Sequence, residues 1–128
     1  MSRKNEIILK ILLFAMAFTN FFLFLGSLPV FSWDEARHGI SAYEMLKSGN
    51  FVAHNYLESL DYWNLKPPLG FWPIALAYKL FGFSVFSLRF FSALAGFVSV
   101  ILCYKIWRFY FDKYIALLAT AFLSLSNA

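Results

Sequence analysis

The sequence predicts an all-α integral membrane protein, and three observations lead to this fold class. The chain has 128 residues, of which 61% are apolar and only 14% are charged, whereas a soluble domain carries about 25% charged residues. Long uncharged stretches alternate with short basic clusters, as in membrane helices and their flanks.

The single cysteine, Cys103, excludes an intramolecular disulfide framework. The basic residues form no patch, which argues against a nucleic-acid partner.

Residues 11–31 are predicted to form the first transmembrane helix, after a cytoplasmic N-terminus at residues 1–10. The uncharged stretch runs from Ile11 to Trp33, 23 residues, or about 35 Å of helix, enough for a hydrocarbon core of roughly 30 Å. The basic residues before it favour a cytoplasmic N-terminus. A cleaved signal peptide is the alternative, but its apolar region is normally about 7–15 residues long and ends in small residues.

Residues 32–83 are predicted to form an extracytoplasmic loop, because they hold most of the acids, both histidines and three of the four prolines. Two short juxtamembrane helices are expected in this loop. The first, at about 33–48, begins with a capping-box pattern at Ser32 and stops at Gly49. The second, at about 67–82, would extend only about 24 Å, so it is predicted to lie at the membrane surface.

Residues 84–107 are predicted to form the second transmembrane helix, since 15 uncharged residues separate two basic residues within it. Residues 108–113 then form a cytoplasmic basic turn, and residues 114–128 begin a third transmembrane helix. If residues 67–82 crossed the membrane instead, this basic turn would lie outside. The dense basic clusters at the N-terminus and at 105–113 favour the surface placement.

Asp34, Glu35 and Arg37 form the first candidate cluster for chemistry, directly after the first predicted crossing. On a helix, Asp34, Arg37 and His38 are three and four residues apart, so they share one face. A carboxylate beside a low-dielectric wall is suited to act as a general base. The structural alternative is that the two acids stabilise the helix N-terminus and that Arg37 pairs with Asp34.

Lys66 forms the second candidate, in the motif Lys66-Pro67-Pro68-Leu69. Proline holds the preceding lysine in an extended conformation, and proline is well placed at the first position of a helix. Lys66 is therefore expected at a helix N-terminus, where backbone N–H groups already favour anions, and a cation there is suited to a phosphate. The alternative is that Lys66 extends from an interfacial helix toward lipid headgroups.

The remaining candidate residues of the chain are expected to have mainly structural roles. His54 is expected to be a solvated loop histidine. Glu58 and Asp61 are expected to form a solvated loop edge or to line an acceptor groove. Arg89 is expected to mark the outer end of the second crossing by extending to the membrane surface, and Cys103 to be buried and inert.

Several short motifs follow one another in a fixed order: Asp34-Glu35-Ala36-Arg37-His38, Tyr43-Glu44-Met45-Leu46-Lys47-Ser48-Gly49, Lys66-Pro67-Pro68-Leu69-Gly70-Phe71-Trp72 and Ser87-Leu88-Arg89. Their order and spacing resemble the N-terminal part of the polytopic membrane glycosyltransferases that include the aminoarabinose transferases of lipid A and the protein O-mannosyltransferases. The resemblance covers nearly the whole chain. It implies a GT-C fold in the bacterial plasma (inner) membrane, with the active site on the extracytoplasmic face.

The resemblance also implies transfer of a sugar from a polyprenyl-phosphate donor to a lipid or protein acceptor. Asp34 would correspond to the catalytic aspartate, with Glu35 beside it, and Arg37 and Lys66 would hold the carrier phosphate. In the aminoarabinose transferases an acidic residue associated with a metal ion precedes the Lys-Pro motif. This chain has Leu65 there, so no metal ligand is assigned.

Two further expectations concern the whole chain. Members of the resembled family are several times longer, so the resemblance implies an N-terminal portion that is inactive alone. The competing hypothesis is a small non-catalytic membrane anchor or assembly subunit, for which Asp34→Asn and Lys66→Ala would be harmless. A transporter subunit is disfavoured, because no ionisable residue lies in the middle of a predicted crossing.

Overall fold

The computed structural model describes residues 3–30 and 33–126. Within these residues the chain is helical apart from a short hairpin and its loops, which confirms the predicted helical, membrane-type character. In chain order the elements are α1 (Arg3–Phe22), α2 (Asp34–Ser48), β1 (Asn55–Tyr56), β2 (Ser59–Leu60), a 3-10 turn (Pro68–Gly70), α3 (Trp72–Phe81), α4 (Val85–Tyr110) and α5 (Lys113–Leu125).

The residues form two compact units, one made of Met1–Phe24 with Ser92–Ala128 and the other of Leu25–Phe91. Among the described residues, two helices are long and apolar enough to cross a membrane, Lys4–Phe22 and Val85–Tyr110. α5 is apolar but shorter. The side of the membrane on which each helix end lies stays a prediction.

The first helix differs in extent from the one predicted at residues 11–31. α1 begins at Arg3 and ends at Phe22, followed by turns. Its first turns accommodate charge, because Lys10 Nζ lies 2.8 Å from Glu6 Oε1 one helical turn away. Pro29 disfavours a helical conformation of Leu28, which argues against a helix that runs unbroken past this point.

The last two helices extend into the predicted turn at residues 108–113 and shorten it. α4 continues to Tyr110 and α5 begins at Lys113, so the connection is shorter than predicted. Arg108 lies in the last turn of α4. A cation is favourable there, because the last turn of a helix carries a partial negative charge.

Close helix packing characterises the first unit. Asn20 Nδ2 on α1 donates a hydrogen bond of 2.7 Å to the carbonyl of Ser124 on α5. A Cβ atom at Gly96 would lie 2.5 Å from the ring of Phe21, so a larger residue there would require this ring to move. Cys103, expected to be buried, is a free thiol that is only partly buried.

The second unit has a small core between α2 and α3, and this core supports the polar loop. Its buried members are Ala42, Met45, Phe71, Ala75, Tyr78 and Leu88. A Cβ at Gly39 would lie 3.0 Å from the hydroxyl of Tyr78, so glycine lets the two helices approach. Burial, with a smaller contribution from the charge of Glu35, raises the pKa of Tyr78 to about 12.

The two loop helices lie within the predicted ranges of about 33–48 and 67–82. Ser32, the predicted cap of α2, lies outside the described residues. At its other end α2 stops at Gly49, which has a φ of 72° and donates its N–H to the carbonyl of Met45. The second segment divides into the 3-10 turn and α3, because Pro73 occupies the first turn of α3, the position that proline favours.

The hairpin was not predicted, and its turn is strained. Asn55 pairs with Leu60 and Tyr56 with Ser59, so Leu57 and Glu58 form a two-residue turn. Both have positive φ, 52° and 63°, a conformation for which Asn-Gly is the usual sequence. The carboxylate of Glu44 accepts the N–H of Glu58 at 3.1 Å, and Lys47 Nζ contacts the Glu58 carboxylate at 2.7 Å. These contacts from α2 hold the turn in place.

Candidate active site

Asp34 and Lys66 meet although 32 residues separate them. Lys66 Nζ donates to Asp34 Oδ1 at 3.0 Å, and both side chains remain accessible, at 49% and 72% exposure. Asp34 is the first residue of α2, and the extended Pro67 places Lys66 beside it. The hydrogen bond and the charge of Lys66 lower the pKa of Asp34. The cleft therefore holds an ionised carboxylate beside an ammonium at neutral pH.

His38 is the second acceptor for this ammonium. Lys66 Nζ lies 3.1 Å from His38 Nε2, and because an ammonium only donates, the imidazole nitrogen must accept. Burial, followed by the charge of Lys66, lowers the pKa of His38, although Asp34 opposes the shift. Within residues 3–30 and 33–126 no further acceptor engages Lys66 Nζ. Its third N–H is thus available to a phosphate oxygen.

Arg37 binds Asp61 rather than Asp34. Its Nε donates to Asp61 Oδ2 at 2.9 Å, its Nη2 donates to the other carboxylate oxygen, and its guanidinium lies over the ring of Tyr56. The expectation that Asp61 is solvated is wrong, because its side chain is only 3% exposed. The guanidinium lowers the pKa of Asp61. Asp61 thus engages Nε and Nη2, and within residues 3–30 and 33–126 no acceptor is bonded to Nη1 of Arg37.

Glu35 lies against Arg89. Arg89 Nη2 donates to Glu35 Oε2 at 2.8 Å, and the guanidinium also donates to the carbonyls of Leu25, Leu28 and Pro29 at 3.0–3.2 Å. These five acceptor atoms hold the Arg89 side chain within the second unit, and its place at the outer end of the second crossing stays a prediction. The adjacent acids Asp34 and Glu35 thus have different surroundings.

Removing the Glu35 carboxylate is expected to destabilise the second unit. Glu35→Ala leaves Arg89 with an unpaired charge, which costs about 3 kcal/mol, whereas Glu35→Gln keeps one acceptor and costs less. The measurement is the thermal unfolding midpoint in detergent, with Lys79→Ala as the control, because the Lys79 side chain on α3 is exposed. Equal midpoints for Glu35→Ala and Lys79→Ala would contradict the assignment.

His54 is buried, contrary to the expectation of a solvated loop residue. Its side chain is 9% exposed, and Nε2 lies 2.9 Å from the carbonyl oxygen of Lys66. Its ring packs on Phe71 with 4.4 Å between centroids. Glu58, by contrast, lies at an exposed edge of the hairpin, where it contacts Lys47.

Four of the side chains described above, those of Asp34, Arg37, His38 and Lys66, line a cleft of about 270 Å³. The lining residues are Trp33, Asp34, Arg37, His38, Trp63, Asn64, Leu65 and Lys66. The cations Arg37 and Lys66 can attract an anionic group. The same lining includes three exposed apolar side chains, those of Trp33, Trp63 and Leu65. The cleft can therefore hold an anionic headgroup whose attached chain is apolar.

The residues present do not fit the metal site associated with the resembled aminoarabinose transferases. Leu65, which stands at the acidic position, has no ligating atom and is 93% exposed. Across the described ranges, 3–30 and 33–126, no three His, Cys, Asp or Glu side chains are grouped to hold a metal ion. Asp34 and His38 share the ammonium of Lys66, whose charge would repel a cation. No chemical step is assigned to a metal.

Comparison with known proteins places the chain in a family. Residues 65–128, half of the chain, match the family described as dolichyl-phosphate-mannose-protein mannosyltransferase. The undecaprenyl phosphate-alpha-4-amino-4-deoxy-L-arabinose arabinosyl transferase 2 of Pseudomonas fluorescens (strain Pf0-1) is 38% identical over 108 residues, which cover 84% of this chain and 19% of that protein. The corresponding transferase of Pseudomonas savastanoi pv. phaseolicola (strain 1448A / Race 6) is 39% identical over 100 residues, covering 75% and 18%.

A protein of Aquifex aeolicus (strain VF5) described as uncharacterized is 38% identical over 107 residues, covering 83% of this chain and 21% of that protein. No solved structure matches the chain. The chain spans about a fifth of the length of these relatives. Together with its two long apolar helices, the family match shows that the chain is an integral membrane protein that belongs to the dolichyl-phosphate-mannose-protein mannosyltransferase family of glycosyltransferases.

Proposed function

We propose that the chain forms the N-terminal part of the active site of a polyprenyl-phosphate-dependent glycosyltransferase. The contact of 3.0 Å between Asp34 and Lys66 carries this proposal, because it puts a base and a phosphate-binding cation in one cleft. The names of the relatives favour undecaprenyl phosphate-4-amino-4-deoxy-L-arabinose as the donor. The acceptor is a hydroxyl of a lipid or a protein.

In the proposed reaction, the bond between the anomeric carbon of the sugar and a phosphate oxygen breaks. A bond forms between that carbon and the acceptor oxygen, and the carboxylate of Asp34 takes the acceptor proton. The phosphate leaves with the bonding electron pair, so its negative charge increases. The third N–H of Lys66 and Nη1 of Arg37 stabilise that charge.

Lys66 couples phosphate binding to the basicity of Asp34. The ammonium lowers the pKa of Asp34, which makes the carboxylate a weak base while the cleft lacks an anion. A bound phosphate attracts the same ammonium and partly neutralises its charge. The pKa of Asp34 then rises toward its ordinary value, and the carboxylate becomes a stronger base when the donor is present.

Glu35 is proposed to act beside Asp34 as a positioning residue. Its carboxylate holds Arg89 of α4, and Glu35 follows Asp34 directly in the first turn of α2. That Glu35 is itself catalytic stays a prediction, and its contact with Arg89 favours a role through the position of α2.

The proposed location is the bacterial inner membrane, with the N-terminus in the cytoplasm and residues 32–83 outside. In this arrangement the helices α2 and α3 lie next to the membrane surface, and lipids surround the apolar helices. We further propose that the chain acts within a longer polypeptide with a GT-C fold and is inactive alone, because the relatives that it matches are about five times as long.

The test is sugar transfer by the full-length protein that carries this chain, reconstituted in proteoliposomes. The donor is undecaprenyl phosphate-4-amino-4-deoxy-L-arabinose, and the acceptor is lipid A or, in parallel, a peptide library. The expected result is acceptor-dependent release of undecaprenyl phosphate. If the protein neither transfers the sugar nor binds undecaprenyl phosphate more tightly than undecaprenol, the anchor hypothesis replaces the proposal.

A further inference from the structure

Two histidines contact Lys66 from opposite ends, and both pack on one buried ring. Phe71 is 1% exposed, and its centroid lies 5.0 Å from that of His38 and 4.4 Å from that of His54. His38 reaches the ammonium of Lys66, and His54 reaches its backbone carbonyl. We call His38, His54 and Phe71 the histidine clamp.

His54 fixes the backbone end of the lysine. A carbonyl oxygen only accepts, so Nε2 of His54 must carry the proton and donate to it at 2.9 Å. The ring is held rigidly, because it is buried against Phe71. The same contact restrains the residue before Pro67, where the chain is extended.

His38 fixes the charged end of the lysine through the opposite tautomer. Its Nε2 accepts from the ammonium at 3.1 Å, so the ring proton lies on Nδ1. The titratable groups that face His38 are Asp34 on α2 and Lys66 and His54 on the loop. The shift caused by burial and by Lys66 keeps the imidazole neutral, which preserves its acceptor.

We infer that the histidine clamp positions the ammonium of Lys66 for phosphate, with His38 as the acceptor that orients it and His54 as the donor that anchors its backbone. This inference rests on the proposed role of Lys66 in binding the carrier phosphate. A lysine side chain has four rotatable bonds, and fixing both ends reduces the conformational freedom that is lost when phosphate binds. The histidine clamp thus holds the ammonium of Lys66 in its binding position before phosphate arrives.

The binding test compares two substitutions of His38 in the full-length protein. His38→Phe keeps an aromatic ring against Phe71 but removes the acceptor, and we expect about tenfold weaker binding of undecaprenyl phosphate in nanodiscs. His38→Gln keeps an acceptor, and we expect it to bind within about twofold of the unsubstituted protein. Undecaprenol, which lacks the phosphate, is expected to show no difference. Equal affinities for His38→Phe and His38→Gln would overturn the inference.

A second measurement tests the clamp without any ligand. In the ¹⁵N-histidine-labelled full-length protein, the signals lost in His38→Gln and in His54→Gln identify the two rings, which we expect to show Nδ1–H for His38 and Nε2–H for His54. In Lys66→Met the loss of the neighbouring charge is expected to raise the pKa of His38, whereas Lys79→Met on α3 leaves it unchanged. Identical tautomers, or a pKa of His38 that does not respond to Lys66→Met, would overturn the inference.

The two measurements separate the clamp from the function on which it rests. If the tautomers and the titration agree with the clamp but undecaprenyl phosphate does not bind the unsubstituted protein, the proposed function fails and the contacts stand. If undecaprenyl phosphate binds but the two His38 variants are equivalent, the proposed function stands and the clamp fails.

Discussion

Replacing Asp34 by asparagine is expected to lower the rate of sugar transfer by about 10²–10⁴-fold, the usual contribution of a general base. Asparagine has the same shape and keeps an oxygen for Lys66 Nζ, which lies 3.0 Å away, but its amide cannot take the acceptor proton. Binding of undecaprenyl phosphate is therefore expected to stay within about threefold of normal, and single-turnover measurements separate the two effects.

The matched control is Glu58→Gln, which makes the same chemical change at an exposed carboxylate on the hairpin. This variant is expected to transfer sugar at the normal rate. If Asp34→Asn retained more than about a tenth of the normal rate while inserting and accumulating normally, Asp34 would not be the base, and the anchor hypothesis would gain support.

Replacing Lys66 by methionine is expected to weaken binding of undecaprenyl phosphate by about 10–100-fold and to lower the transfer rate by about 10²–10³-fold. Methionine has a similar length but no charge, so it cannot stabilise the departing phosphate. The substitution also removes the hydrogen bond and the charge that lower the pKa of Asp34. The acidic limb of the pH–rate profile is thus expected to move to higher pH.

The direction of that shift follows from the protonation state that the reaction needs. Transfer requires ionised Asp34, so the rate falls as pH decreases through the pKa of its carboxyl group. Since Lys66 lowers this pKa, its loss raises the pH at which activity falls. Lys79→Met, a distant and exposed lysine, provides the control and is expected to leave both the limb and the affinity unchanged. An unchanged affinity in Lys66→Met would contradict the phosphate-binding role.

Local sequence signals predicted the two loop helices and the two segments that carry Asp34 and Lys66. Glycine at residue 49 marks the end of α2 because it adopts a positive φ of 72° there. The Lys66-Pro67-Pro68 sequence predicts extended backbone before a helical segment, and Pro67, which precedes Pro68, has a ψ of 139°. Such signals depend on a few adjacent residues, which makes them readable in a single sequence.

The partners of the site residues could not be predicted in the same way. Asp61 reaches Arg37 across 24 residues because of a hairpin whose turn, Leu57-Glu58, lacks the usual Asn-Gly sequence. His54 reaches the carbonyl of Lys66 only after the loop has folded back on Phe71. These contacts depend on tertiary structure, so sequence periodicity gives no indication of them.

The carbonyls held by Arg89 have a consequence for the order of biogenesis. Leu25, Leu28 and Pro29 leave the ribosome 60–64 residues before the arginine to which they bind. Until α4 is synthesised, water or the translocation machinery must satisfy these peptide oxygens, since bare carbonyls in hydrocarbon are costly. The segment between α1 and α4 is therefore expected to fold late, only after α4 has entered the bilayer.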